Sequence, residues 1–434
     1  MIRTSCKASI AVAVLLVACT DQNAEAQAQD GAVAAVAPAV TPAVSAAPRH
    51  SPADVQRYAE AARRAWEFVD QQYQPATGLV SPVSEYHVAT TWDIGSSIGA
   101  LYAANRLGFL ADEEYDRRLS RALETLATVG MFRDVAFNRD YMTRQAAMAE
   151  KGKPSSTGYA WNVTDLGRLL VWLKIVAVND PQYSDRIQKV VDRIDFDRIL
   201  QDGYLYSEAK SARTRSGFWR YQEGRIGYEQ YTAAGFALWD HRPEKALDMQ
   251  LNAVPKEVMG QELMIDRRGY NRLTSEPYIL LGLELGWSPG IRQQAERLLA
   301  AQEERYRRTD QITMVSEEAI SVAPHYFFYY LVYGERGPFV IDVQRPGVEV
   351  DGPRAVSTKA TFAWHALLPS DYTSLALDHI DAALTDRGWS SGVLEKSGKP
   401  TNTPNVNTSA VILESALYLQ NGGRPLLNQP FNWK

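Results

Sequence analysis

The sequence predicts an all-α fold, an (α/α)6 toroid of six helical hairpins with a small β-ribbon insertion. Two observations carry this expectation. Amphipathic helical segments alternate with segments that are apolar on every side, and the alternation repeats six times. The apolar segments begin about 60 residues apart on average, longer than the common solenoid repeats.

The first hairpin opens at residues 52–73, with Ser51 as N-cap and Pro52 at the first helical position. Apolar residues follow at spacings of three and four through Tyr58, Ala62, Ala65, Trp66 and Val69. Its partner starts at Thr91-Trp92-Asp93-Ile94-Gly95 and is rich in small residues, so it is expected inside. The remaining outer segments are 112–129, 184–200, 243–252, 290–307 and 370–386. Their inner partners start near Asn162, Tyr228, Ser275, Ser316 and Asn407. Residues 337–350 read as the β-ribbon, placed before the last pair. The rival fold is an open α-solenoid, which wants a polar helix at each end; the last inner segment is as apolar as the others, which favours closure.

The chain has 434 residues and a net charge of −5 with both signs interspersed, which argues against a nucleic-acid surface. Residues 1–18 read as a lipoprotein signal peptide. Arg3 and Lys7 flank a short apolar run that ends in the lipobox Leu16-Val17-Ala18-Cys19. Cys19 is the expected lipidation site and the membrane anchor; an ordinary signal peptide with a chance cysteine is the competing reading. Thr20 in place of Asp favours the periplasmic face of the outer membrane over the inner membrane. Residues 19–49 are an Ala/Pro-rich tether too poor in bulky apolar groups to fold. Residues 50–434 form the toroid domain. Cleavage removes Cys6 and lipid occupies Cys19, so no disulfide is expected.

Polar residues recur where the inner helices start: Asp93, Asp165, Glu229, Glu276, Glu317 with Glu318, and Asn407. Aromatic residues stand beside them, including Tyr86, Trp92, Trp161, Tyr228 and Tyr231. In a closed ring these converge on one funnel. Carboxylates framed by aromatic faces suit glycoside hydrolysis, which needs one acid, one base and flat surfaces for sugars. Asp93, Asp165, Glu229 and Glu318 are the expected catalytic set, with Glu229 as proton donor and Asp93 as base. Trp92, Trp161, Tyr228, Tyr231, Glu276, Lys359, Trp364, Glu395 and Asn407 are the expected substrate-binding residues. Each acid taken alone is equally at home as a helix cap or first-turn charge. Lys359 reads equally as an ordinary exposed lysine, and Glu395 as a solvated acid in a turn. His87, His241, His325, His365 and His379 lack metal-ligand spacing, so no metal site is expected. No P-loop, dinucleotide fingerprint or G-x-S-x-G elbow is present, and no cofactor is expected.

Six strings together carry a resemblance: Thr91-Trp92-Asp93-Ile94-Gly95, Asp165-Leu166-Gly167-Arg168-Leu169-Leu170, Tyr228-Glu229-Gln230-Tyr231, Ser316-Glu317-Glu318, Ser357-Thr358-Lys359-Ala360, and Asn407-Thr408 through Ile412-Leu413-Glu414. From about residue 85 to 420 the chain resembles the bacterial domain-of-unknown-function family 3131. The resemblance implies an exported protein with a glucoamylase-like (α/α)6 toroid, and sugar chemistry by analogy. The function expected is a glycoside hydrolase acting on a bacterial envelope or extracellular polysaccharide. A non-catalytic glycan-binding lipoprotein that assists polysaccharide export machinery would use the same aromatic funnel. A lyase or epimerase on a related toroid would draw on His325 and Tyr326.

Overall fold

The computed structural model describes residues 50–269, 271–321, 327–343, 349–350 and 352–433. The signal peptide, Cys19, the tether, His325 and Tyr326 lie outside the described residues.

Six hairpins are present, with odd-numbered helices outside and even-numbered helices inside. They are α1 (Pro52–Gln72) with α2 (Thr91–Arg106), α3 (Asp112–Thr128) with α4 (Val163–Asn179), and α5 (Ser184–Val191) with α6 (Tyr228–Ala237). Then follow α7 (Glu244–Leu247) with α8 (Glu276–Leu280), α9 (Pro289–Thr309) with α10 (Thr358–Leu367), and α11 (Asp371–His379) with α12 (Val406–Gln420). A π turn, Leu281–Leu285, continues α8. Each inner helix touches the next in order, and α12 returns to α2, so the ring closes and an open solenoid is excluded.

Local sequence explains the helix starts. Ser51 and Asp54 form a capping box on α1, Thr90 and Asp93 another on α2, and the Asn162 side chain accepts from Thr164 N and Asp165 N on α4. Small residues set the ring's tightness. A Cβ on Gly235 would stand 2.5 Å from the Gly167 carbonyl oxygen, and one on Gly95 would stand 2.9 Å from Leu169 N. The inner helices therefore approach backbone to backbone, which only glycine permits at these crossings.

Two expectations need correction. The fold is mixed rather than all-α: the described residues are 47% helix and 22% strand. The segments leading into the inner helices pair into small sheets. These strands are mostly two to eight residues long, too short for a clear alternating signal. The second correction is the fifth inner helix. The stretch from Ser316 reads as helix, but it forms strands β6 (Glu317–Ala319) and β7 (Phe327–Gly334), paired antiparallel. The run Phe327-Phe328-Tyr329-Tyr330-Leu331-Val332 is aromatic and branched, and a continuous apolar run does not separate strand from buried helix. The true fifth inner helix is α10, which starts at Thr358 on the Ser357 cap. The expected ribbon at 337–350 joins the same sheet as β8 (Gly337–Asp342) and β9 (Glu349–Val350). Elsewhere β1 (Val88–Thr90) pairs with β2 (Asp140–Met142); β4 (Tyr204–Lys210) pairs with both β3 (Ala160–Trp161) and β5 (Phe218–Gln222).

Inside the ring, Arg168 is 1% exposed and joins five inner helices. Its Nε donates to Ser96 Oγ at 2.6 Å, and Nη1 donates to Glu284 Oε1 at 2.7 Å and Tyr231 Oη at 3.1 Å. Its Nη2 donates to Glu414 Oε1 at 2.9 Å. Tyr231 in turn donates to Glu284 Oε2 at 2.7 Å. One cation faces two buried carboxyls. Burial raises the pKa of both, against the pull of Arg168, so one proton is retained between Glu284 and Glu414. Arg168→Met strands two buried acids and should cost about 3–5 kcal/mol in urea unfolding. Glu414→Gln keeps the neutral partner's shape and should cost less than about 1 kcal/mol, because an amide can take the place of the protonated acid.

Candidate active site

The carboxylates at the N-terminal ends of the inner helices fall into two neighbouring groups. The first centres on Asp165 in the opening turn of α4, half-buried beside Arg139, Asp140 and Asp93. Asp140 starts β2 opposite Thr90 and accepts from Tyr159 Oη at 2.9 Å. Burial pushes the Asp165 carboxyl up to about 8; Arg139 pulls against this, while Asp140, Asp93 and Glu317 add to it. The largest influences on it are burial and charge, and among the described residues its carboxyl has no hydrogen-bond partner. Asp165 is thus a carboxyl that keeps its proton at neutral pH without donating to a fixed protein partner.

The second group surrounds Lys359, in the first turn of α10 and 3% exposed. A helix N-terminus repels a cation, so acids must hold it there. Glu276 Oε2 lies 2.6 Å from Nζ and also accepts from Ser316 Oγ at 3.2 Å. Glu276, Glu318 and Glu317 together raise the pKa of Lys359 against its burial. Glu318 is 2% exposed; burial pushes it up to about 8, against Lys359, and its Oε1 has no partner among the described residues. Glu317 Oε2 accepts from Tyr228 Oη at 2.8 Å, and the Arg225 guanidinium lies 4.3 Å from the Tyr228 ring centre. Glu317 links the two groups, because its charge acts on both Asp165 and Glu276.

Aromatic faces border the first group. Tyr86 is 52% exposed and feels Asp140, Asp93 and Arg139. Trp219 is 56% exposed and stacks on Tyr221 at 4.5 Å. The two share a face of β5 because they are two residues apart, and Tyr221 reaches the charges of Asp165 and Arg139.

Several expected residues are instead held by fixed protein partners. Asp93 has both oxygens occupied: Oδ2 accepts from Thr90 N and Oγ1 at 2.8 and 2.9 Å, and Oδ1 accepts from Asn407 Nδ2 at 2.7 Å. Asn407 also accepts from Ser96 Oγ at 2.7 Å, so it closes the seam between α2 and α12. Glu229 is gripped by Arg268 through two contacts of 3.1 and 2.6 Å, and Arg268 also holds Asp266. Burial pushes Glu229 up to about 7 while Arg268 pulls it down; the forked contact favours the ionised form. Glu395 is likewise clamped by Arg305 at 3.0 Å on both oxygens, with Tyr330 donating at 2.7 Å. Trp161 and Trp364 are core residues at 1% and 0% exposure, the former donating to Tyr206 O at 2.9 Å. Tyr231 belongs to the Arg168 network, and Trp92 packs against Tyr228 and Tyr231. Sequence reasoning missed Arg139, Asp140, Tyr159, Trp219 and Tyr221. Only the Trp219-x-Tyr221 alternation carried a readable signal, that of two rings on one strand face.

Lys359→Met leaves Glu276, Glu317 and Glu318 without their cation. The folded-state pKa values of Glu276 and Glu318, already raised by burial, then rise further above the unfolded ones, so the loss of stability grows as pH rises. Thermal unfolding should show a deficit of about 3–5 kcal/mol at pH 7.5 that shrinks at pH 5.

A comparison with curated protein sequences finds no match. Among solved structures, the chain is similar to a candidate glucoamylase from Bacteroides caccae ATCC 43185, at 14% identity and TM-score 0.64 over 86% of this chain and 94% of that one. It is also similar to an endo-β-1,2-glucanase from Chitinophaga pinensis in complex with sophorotriose and glucose, at 12% identity and TM-score 0.60 over 87% and 94%. A third is an endo-β-1,2-glucanase from Talaromyces funiculosus in complex with sophorose, at 11% identity and TM-score 0.57 over 83% and 84%. At such identities the likeness establishes the fold. The model of the family described as "Protein of unknown function (DUF3131)" matches residues 60–422, and the chain belongs to that family.

Proposed function

We propose that the protein is a glycoside hydrolase acting on a bacterial envelope or extracellular polysaccharide, with Asp165 as the proton donor. The observation that carries this reading is the Asp165 carboxyl, pushed up to about 8 by burial and by neighbouring acids beside exposed aromatic rings. A glycosidic oxygen leaves only when protonated, and an acid with a raised pKa holds its proton for that step. Glu317 is the base that activates water or attacks the sugar, oriented by Tyr228. Tyr86 and the Trp219–Tyr221 pair stack on sugar rings. Asp93 and Glu229 take structural roles, the first as a cap and the second as an ion-pair partner. The likeness to β-1,2-glucanases supports including β-1,2-glucan among the substrates tried first.

The test is release of reducing ends from a panel of glucans and bacterial exopolysaccharides by the full chain. Asp165→Asn and Glu317→Gln should each lower kcat by at least about a thousandfold. Trp219→Ala should raise KM about tenfold with kcat retained. The folded Asp165 pKa lies above the unfolded one, so its proton is present below about pH 8 and activity should fall above it. For the same reason Asp165→Asn should raise the Tm at neutral pH by several degrees. Full turnover by Asp165→Asn would overturn the assignment. Tight glycan binding by a parent that turns nothing over would favour the glycan-binding reading.

We further propose that lipid at Cys19 holds the chain on the periplasmic face of the outer membrane, on the strength of the lipobox. No helix among the described residues is long and apolar enough to cross a membrane. Cells fed radiolabelled palmitate should label the parent and leave Cys19→Ala unlabelled; equal labelling would refute the anchor.

A further inference from the structure

The inner helices open at the funnel, so their C-terminal ends lie at the opposite end of the ring. There the last turns of α10 meet the first turn of α1. We propose that His50, Asp54 and His365 form a binding site at this end for a zinc-class divalent transition ion. One ligand atom from each of the three lies within 4.8 Å of the others. Ligands at about 2.1 Å from one ion stand no more than about 4.2 Å apart, so a small side-chain adjustment closes the set.

The hydrogen bonds around the two rings point their lone pairs inward. His50 Nε2 lies 3.0 Å from Ala366 O, and a carbonyl only accepts, so Nε2 carries the proton. His50 Nδ1 is then a bare acceptor, and it is buried with no partner among the described residues. Tyr58 Oη donates to Phe362 O at 2.6 Å, which leaves it to accept from His365 Nδ1 at 3.1 Å. His365 Nε2 is therefore the second bare acceptor. A ring nitrogen tied to a protein oxygen, with the other nitrogen free, is how metal-ligating histidines are held.

Asp54 supplies the charge. Its Oδ2 accepts from Ser51 N and Oγ, both at 2.8 Å, which leaves Oδ1 for an ion. The two Ser51 hydrogen bonds favour its ionised form. Arg57, the nearby cation that would oppose an ion, is neutralised by Asp378 at 2.5 Å and Asp381 at 2.9 Å. Ring packing alone is the competing account: His50 and His365 meet edge to face at 5.1 Å. That account leaves a buried nitrogen lone pair without a partner, which is costly. Two imidazoles and one carboxylate suit zinc and its neighbours over calcium or magnesium.

The inference departs from the expectation of no metal site. His365 comes from a hairpin far along the chain, so the spacing along the sequence does not announce it beside His50 and Asp54. The test uses full-length protein stripped with a chelator. Calorimetric titration with zinc chloride should show one equivalent bound per chain, with a dissociation constant of about 1 µM or tighter. Zinc should raise the Tm by several degrees, and cobalt should bind with visible d–d absorption. His50→Ala removes a half-buried ring and should fold, yet lose both the saturable uptake and the zinc-linked Tm shift. His365→Gln should do the same. Absence of stoichiometric uptake by the parent, or unchanged uptake by His50→Ala, would overturn the proposal.

Discussion

The toroid depends on a single charge held where charge is most expensive. Arg168 is buried in the ring at 1% exposure, and it reaches Ser96, Tyr231, Glu284 and Glu414 from four other inner helices. A buried guanidinium is tolerable only when its donors are filled and its charge is matched. Two carboxyls supply one negative charge too many, so the ring retains a proton. This balance is a registry device. Sliding any of α2, α4, α6 or α12 along its axis would leave part of the network unpaired, whereas apolar packing alone would tolerate the slide. The glycine crossings at Gly95, Gly167 and Gly235 bring the backbones close enough for one side chain to span the group.

The same arithmetic recurs at the mouth of the ring with a different outcome. Lys359 is one cation among Glu276, Glu317 and Glu318, again too few positive charges for the acids present. Asp165 sits next to three further acids and one arginine. Where the core resolves its excess by sharing a proton between two fixed carboxyls, the mouth leaves a protonated acid with nothing to donate to. An acid that keeps its proton in the absence of a fixed acceptor is what proton donation to an incoming molecule requires.

The sequence made some of this legible and hid the rest for identifiable reasons. Helix starts were readable at Ser51, Thr91 and near Asn162 because the start of a helix is a local event, and the count of six hairpins followed from alternating polarity. The all-α reading failed because strands as short as Ala160–Trp161 carry no periodicity. The fifth inner helix was misplaced because Phe327 to Val332 is apolar without interruption, while the helix itself begins at Thr358 on the Ser357 cap. The acids converged as the toroid implied, but their partners were invisible. Nothing near Glu229 announces Arg268, and nothing near Glu395 announces Arg305. Trp161 and Trp364, expected at the site, lie in the core, whereas Trp219 is exposed.

The close helix crossings have a consequence for how such a protein can change. A ring in which Gly167 and Gly235 meet at backbone distance cannot absorb a larger side chain at those points without parting helices. Its interior is therefore nearly closed to variation. The small sheets ahead of the inner helices are different: they hang from the helix ends, and Trp219 and Tyr221 project from one of them. A strand pair there can lengthen, shorten or exchange a ring without disturbing Arg168. Variation can thus be drafted on the rim while the wheel that carries it stays unchanged.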